Sequence, residues 1–303
     1  MTRVLRGVVL AVVLLFAASA CGGGTSSSAP PASDLPPSAA PAKAYVALGD
    51  SYTAAPYVYL TDVADGCLRS NGNYPTLLAK AIGAKLNDVS CGGAQTGDLT
   101  APQQTFQGQQ VPAQLDALGP DTDLVTIGIG GNDFGLFGSL STGCPITGPG
   151  GQAFGAPSRR GGACGRVDRA VAAKDLTGIQ ANVTTALTEI HTRAPKAKVV
   201  LVGYPRIAST TTTCPKLLPA TLANAKDVDA VTRGLRDALK AAATATGTTF
   251  IDMYAASKGH DVCAGKAAWV NGIHTDTERA APLHPFAEEQ QAVAKLIAAA
   301  LAG

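Results

Sequence analysis

Two short apolar runs, residues 124–129 and 198–202, flank a segment in which Leu176, Ile179, Val183, Leu187 and Ile190 recur at steps of 3, 4, 4 and 3. Those steps lay one apolar stripe along a helix, and Pro195 stops it. A strand, a long helix and a second strand make a right-handed crossover between parallel neighbours, which leaves few folds open. The alternation extends in both directions. Residues 45–48 read as a first strand, 74–82 as a helix ended by Gly83, 86–90 as a second strand and 249–252 as a fifth. Val228, Val231, Leu235 and Leu239 mark a further helix, and Phe286, Val293, Leu296, Ile297 and Leu301 a terminal one. The expected fold is therefore α/β: a three-layer α/β/α sandwich on a five-stranded parallel sheet, in the order 2-1-3-4-5. Two segments, 135–165 and 257–281, break the alternation; both are long and carry glycine and cysteine. Long loops on such a sheet gather at its C-terminal edge and bind ligands.

The 303 residues, 46% hydrophobic and 15% charged, suffice for one large domain. The first twenty read as an export signal: Arg3 and Arg6, an apolar core at residues 8–16, then Ala18-Ser19-Ala20. The apolar core is too short for an ordinary membrane span. Residues 21–42, rich in Gly, Ser, Pro and Ala, read as a flexible linker, and 43–303 as the folded domain. Without Arg3 and Arg6 the charges balance at 22 basic and 22 acidic, so nucleic acid is not an expected partner. Small residues before Cys21 resemble a bacterial lipoprotein signal. That resemblance implies lipidation of Cys21 and anchoring to the outer face of the cell membrane; a plain secretory signal would release the domain instead.

Cys67, Cys91, Cys144, Cys164, Cys214 and Cys263 remain. An even set in an exported chain implies disulfides, and none has the Cys-x-x-Cys spacing of a metal or redox site. Six cysteines allow fifteen pairings, of which the sequential one closes the shortest loops. No metal and no cofactor is expected.

The first strand runs into Gly49-Asp50-Ser51, the second into Ser90-Cys91-Gly92-Gly93, and the third into Gly130-Gly131-Asn132-Asp133. In a parallel sheet all three exits share one edge. A serine nucleophile needs a base for its proton and donors for the oxyanion, and glycine amides and an asparagine side chain are such donors. Of four histidines, His191 lies on a helix, His260 and His274 lie in the 257–281 loop, and His284 stands at the mouth of the terminal helix, again at the strand C-terminal edge. Asp50 and Asp133 read as turn and loop braces.

Gly49-Asp50-Ser51, Gly93, Gly130-Gly131-Asn132-Asp133 and His284-Pro285, in that order, resemble the four blocks of the SGNH, or GDSL, hydrolases. The likeness extends to the disulfide-bonded secreted lipases and esterases of actinobacteria and covers the chain from about Tyr45 onward. It implies Ser51 as nucleophile, His284 as general base, and the Ser51 amide, Gly93 and Asn132 as oxyanion donors. The Gly-x-Ser-x-Gly elbow of α/β-hydrolases is absent. One departure stands out: the family commonly carries Asp three residues before the histidine, where this chain has Ala281. The expectation is a Ser–His dyad with the imidazole oriented by the backbone carbonyl of Ala281, and with Asp276 and Glu278 as rival acceptors. The expected activity is hydrolysis of acyl esters by a monomer. A phospholipase or glycan acetylesterase using the same machinery, or a non-catalytic surface binder on this fold, are the alternatives.

Overall fold

The computed structural model describes residues 43–141, 143–147, 153–154 and 164–302. Segments 1–20 and 21–42, with Cys21, lie outside the described residues, as does much of 135–165. Strands β1 (Ala44–Gly49), β2 (Lys85–Asp88), β3 (Leu124–Gly128), β4 (Lys198–Val202) and β5 (Thr249–Ile251) form one parallel sheet in the order β2-β1-β3-β4-β5. Two small hairpins, Gln103–Gln104 with Gln110–Val111 and Ile146–Thr147 with Ala153–Phe154, fall between these strands in the chain. The order 2-1-3-4-5 thus holds for the sheet strands, not for a count of every strand.

Side chains alternate across the sheet, and both faces are covered, as parallel sheets require. Val46, Leu48, Val125, Ile127, Val199 and Leu201 face helices α2 (Arg169–Arg193) and α3 (Leu222–Thr246), where they meet Ile179, Val183, Leu187, Leu235 and Leu239. Tyr45, Ala47, Leu124, Val200 and Val202 face α1 (Tyr74–Ile82) and α4 (Ala287–Ala302), meeting Leu78, Val293 and Ile297. Burying each such aliphatic side chain contributes about 1.5–3 kcal/mol, so the sheet holds its strand ends firmly.

Local chemistry sets the helix ends. The Asn73 side chain accepts from Thr76 N at the start of α1, and left-handed Gly83 closes it. Asp168 caps α2 and Thr221 caps α3, with Gly247 at the far end of α3. The alternation lapses once, between β2 and β3. There the chain makes no α-helix but two 3-10 turns, Thr96–Leu99 and Gln114–Ala117, and the Gln103–Gln104 hairpin, because Gly92, Gly93, Gly97, Pro102 and Pro112 interrupt any longer helix.

The three disulfides pair sequentially: Cys67–Cys91, Cys144–Cys164 and Cys214–Cys263. They belong to an oxidising compartment, which is consistent with an exported protein. Among the described residues no helix is long and apolar enough to cross a membrane.

One buried acid opposes the fold. Glu289 in the first turn of α4 is 2% exposed, and burial raises its carboxyl pKa to about 8, partly offset by a 2.8 Å bond from Gln290 Nε2. The folded protein therefore holds a proton that the unfolded chain has already lost at pH 5–7. The Glu289 contribution to stability therefore falls as pH rises from the ordinary carboxylate range to about 8, and above that its penalty is complete. Glu289→Gln is expected to raise the melting temperature most above pH 8, with the gain vanishing toward pH 4. Thermal melts of both proteins across that range check it.

Candidate active site

The ends of β1 and β3 meet as glycines. Gly49 and Gly128 are register partners, and a Cβ on Gly49 would stand 2.6 Å from the Gly128 carbonyl and 2.4 Å from Thr53 Oγ1. Gly49 also has φ of +142°, which only glycine adopts readily. The Gln114 side chain clamps this residue, accepting from Gly49 N at 2.7 Å and donating to Gly49 O at 2.9 Å. Beyond it, Asp50 caps a single helical turn, Ser51–Ala54, by accepting from Tyr52 N at 2.9 Å.

Ser51 and His284 lie 233 residues apart and are in contact: Ser51 Oγ and His284 Nε2 are 2.7 Å apart. His284 Nδ1 lies 2.7 Å from the carbonyl of Pro282. A carbonyl only accepts, so Nδ1 carries the proton and the neutral ring turns the lone pair of Nε2 to the serine hydroxyl. Packing against Tyr52, with ring centroids 5.1 Å apart, withholds water from the imidazole. That desolvation lowers its pKa below the ordinary histidine value, with the Pro282 bond opposing the shift. A hydroxyl bonded to a neutral, fixed imidazole is the arrangement that general-base activation requires.

The expected orienting group is one residue off. Ala281 O is already occupied: it accepts from His284 N at 3.2 Å and from Asn271 Nδ2 at 3.1 Å. Leu283, at φ of +60°, reverses the chain between them, so the ring folds back on the Pro282 carbonyl instead. Asp276 accepts from the Glu278 amide at 3.1 Å, and neither side chain bonds to His284.

Gly93 stands at φ of +78°, and Ser51 N and Gly93 N make no hydrogen bond within the described residues. Asn132 Nδ2 donates to Ala94 O at 3.0 Å, which fixes its amide beside the Gly93 loop and leaves its second N–H uncommitted. Asp133 braces the same junction, accepting from Thr96 N at 2.8 Å, Thr96 Oγ1 at 2.5 Å and Asn182 Nδ2 at 3.1 Å. The Gly93 loop joins the serine turn through Cys91 N to Gly49 O at 2.9 Å, and it joins the following loop through the Cys67–Cys91 bond. The remaining histidines lie elsewhere in local bonds: His191 Nε2 with Thr248 Oγ1, His274 Nδ1 with Thr147 Oγ1, and His260 stacked on Trp269. Among the described residues no cluster of His, Cys, Asp and Glu could hold a metal ion.

The sequence profile of the GDSL-like Lipase/Acylhydrolase family matches residues 47–292. The chain belongs to this family. Its relatives are carboxylic ester hydrolases by name. It is 39% identical over 268 residues to Lipase 2 of Streptomyces coelicolor, covering 86% of each chain. It is 34% identical over 254 residues to a lipase of Streptomyces rimosus, covering 81% of this chain and 82% of that one. Among solved structures it is similar to phospholipase A1 from Streptomyces albidoflavus, with TM-score 0.63, 25% identity and coverage of 85% of this chain and 99% of that one. The extracellular lipase from S. rimosus gives TM-score 0.63 at 26% identity, covering 86% and 100%.

In this GDSL hydrolase the site also contains residues that its motifs do not advertise. Tyr204, just past β4, donates to Asp50 Oδ2 at 2.5 Å and accepts from Gly131 N at 2.9 Å. Asp50 is fully buried, and burial raises its pKa to about 7, against the bonds from Tyr204 and Tyr52. The serine turn and the Gly131-Asn132 loop are thereby joined through a phenol. A tyrosine at a strand C-terminus was the one available signal. Gln114 gave none.

Phe106, at the tip of the Gln103–Gln104 hairpin, lies 78% exposed against Gly93, where a Cβ would meet its ring at 2.8 Å. Gly93→Ala combines that contact with a left-handed backbone, and is expected to cost more than about 1 kcal/mol of stability. Removing the ring as well, in Gly93→Ala with Phe106→Ala, should recover only the contact part. Urea unfolding of the single and double variants separates the two.

Proposed function

We propose that this GDSL hydrolase cleaves carboxylic esters through an acyl-enzyme on Ser51, with His284 as general base. The observation that carries the proposal is the 2.7 Å approach of Ser51 Oγ to His284 Nε2, with Nδ1 committed to the Pro282 carbonyl. As Ser51 Oγ bonds to the ester carbonyl carbon, its proton passes to Nε2. The carbonyl oxygen becomes an oxyanion, received by the free amides of Ser51 and Gly93 and by the Asn132 side chain. Collapse of that intermediate breaks the ester C–O bond, and the imidazolium protonates the departing alcohol. Water, deprotonated by the same ring, then attacks the acyl carbon and releases the acid.

Lipid or short-chain acyl esters fit the apolar Phe106 ring beside Gly93. A phospholipid is favoured as a second substrate by the likeness to the S. albidoflavus phospholipase A1. We further propose the division into a signal at 1–20, a linker at 21–42 lipidated at Cys21, and a catalytic domain at 43–303. The domain would then act as a monomer at the outer membrane face.

Hydrolysis of nitrophenyl esters from acetate to palmitate, alongside a phospholipid, tests the reading. Ser51→Ala and His284→Ala are expected to abolish turnover in folded protein. Asn132→Ala should lower kcat by about 100- to 1,000-fold with little change in KM. Asp276→Asn and Glu278→Gln should stay near the parent; a loss of about 1,000-fold in either would replace the dyad with a carboxylate triad.

The pH profile is a separate prediction. The lowered His284 pKa means the base is free from below the ordinary imidazole range. The kcat/KM profile of the parent should rise through an apparent pKa under about 6.5 and stay flat through neutrality. A limb at or above that value would contradict a desolvated base.

A further inference from the structure

A dyad without a carboxylate has only geometry to keep its histidine productive. The acceptor on Nδ1 is a neutral carbonyl two residues upstream, and the ring reaches it only because the chain reverses at Leu283. Leu283 does so at φ of +60°, a conformation that a residue with a Cβ holds only under outside restraint. Two bonds supply the restraint. Leu283 N donates to Gly272 O at 2.9 Å, and Leu283 O accepts from the hydroxyl of Tyr52 at 2.6 Å.

Tyr52 follows the serine directly, and its own position is closely fixed. Its amide donates to Asp50 Oδ1 at 2.9 Å, and its carbonyl accepts from Gln290 Nε2 at 3.0 Å. Its ring stands edge-on to Tyr204 with centroids 5.1 Å apart, tilted against Phe137 at 5.4 Å and against His284 at 5.1 Å. One buried residue therefore joins the serine turn to the histidine loop by a covalent step on one side and a short hydrogen bond on the other.

We propose that Tyr52 is a positioning residue for the Ser51–His284 pair: its hydroxyl, bonded to the Leu283 carbonyl, holds the left-handed turn that aims Nδ1 at Pro282 and Nε2 at Ser51. This rests on the serine–histidine mechanism above. The hydroxyl acts through Leu283 and makes no hydrogen bond to Ser51 Oγ or to His284. It substitutes rigidity for the charge that a carboxylate would bring.

Tyr52→Phe keeps the ring and deletes the bond. With nitrophenyl butyrate, kcat is expected to fall about tenfold or more while KM stays within about twofold, and the melting temperature should remain near the parent's. The kinetic pKa should rise toward the ordinary imidazole value as water gains the loosened ring. A second readout does not need turnover. In Ser51→Ala protein, the proton NMR signal of His284 Nδ1–H should be sharp and downfield, and adding Tyr52→Phe should broaden or shift it. An unchanged kcat with an unchanged signal overturns the proposal, as does a fall in kcat that only tracks a lost folded fraction. If Tyr52→Phe behaves as the parent while Ser51→Ala and His284→Ala are inactive, the positioning role fails and the dyad stands. If Ser51→Ala itself retains the parent's turnover, the dyad fails first, and the proposal with it.

Discussion

The ends of β1 and β3 approach each other more closely than side chains permit. A Cβ on Gly49 would meet the Gly128 carbonyl at 2.6 Å, and Asp50 N donates to that same carbonyl at 2.9 Å. Because the two strands stop in register, the serine turn and the Gly130-Asn132 loop leave the sheet side by side. Everything later in the site is fastened to that junction: the Gln114 clamp on Gly49, the Cys91 amide on Gly49 O, and the Tyr204 phenol spanning Asp50 and Gly131. The helices on either face bury enough apolar surface to make the sheet a stiff base, so the strand ends cannot drift apart without opening the core.

His284 is the one site group that the sheet does not carry. It arrives on a loop, and its orientation is imposed by hydrogen bonds rather than by a neighbouring charge. A carbonyl fixes the tautomer as firmly as a carboxylate would, yet offers the imidazolium less stabilisation. In the proposed mechanism the electrostatic share of the work falls to the half-buried donors at Ser51, Gly93 and Asn132, whose orientation is fixed before the reaction.

Much of this was legible in the chain. The strand runs are continuous because both sheet faces are covered, and the α2 stripe is regular because one side of that helix lies on the sheet. Ser51, Gly93 and Asn132 stand in motif blocks after strands, and His284 in one before the terminal helix; the roles assigned to them are the proposal. What escaped depends on backbone angles or distant contacts. Leucine gives no sign that position 283 turns left-handed, and that turn moved the acceptor from Ala281 to Pro282. Tyr204 meets Asp50 across 154 residues, and Gln114 meets Gly49 across 65, distances at which no periodicity speaks. The stretch between β2 and β3 carried glycines and prolines enough to rule out a long helix, but not enough to specify the hairpin that places Phe106.

That hairpin is fastened at its base rather than at its tip. Gln103 Nε2 donates to Gly92 O at 2.9 Å, Thr105 is buried, and Gln109 Nε2 donates to Ala64 O at 2.8 Å, while Phe106, Gln107 and Gly108 stand exposed between these points. Gly108 is held by its φ of +80°, by donating to Thr105 O at 2.9 Å and by accepting from Gln104 Nε2 at 3.2 Å, so the freedom at the tip lies with Phe106 and Gln107. Exchanges at 106 and 107 alter the surface beside Gly93 and touch no strand end, disulfide or part of the histidine loop. The surface beside the Gly93 loop can thus change shape and polarity through two positions that carry none of the hydrogen bonds holding the site together.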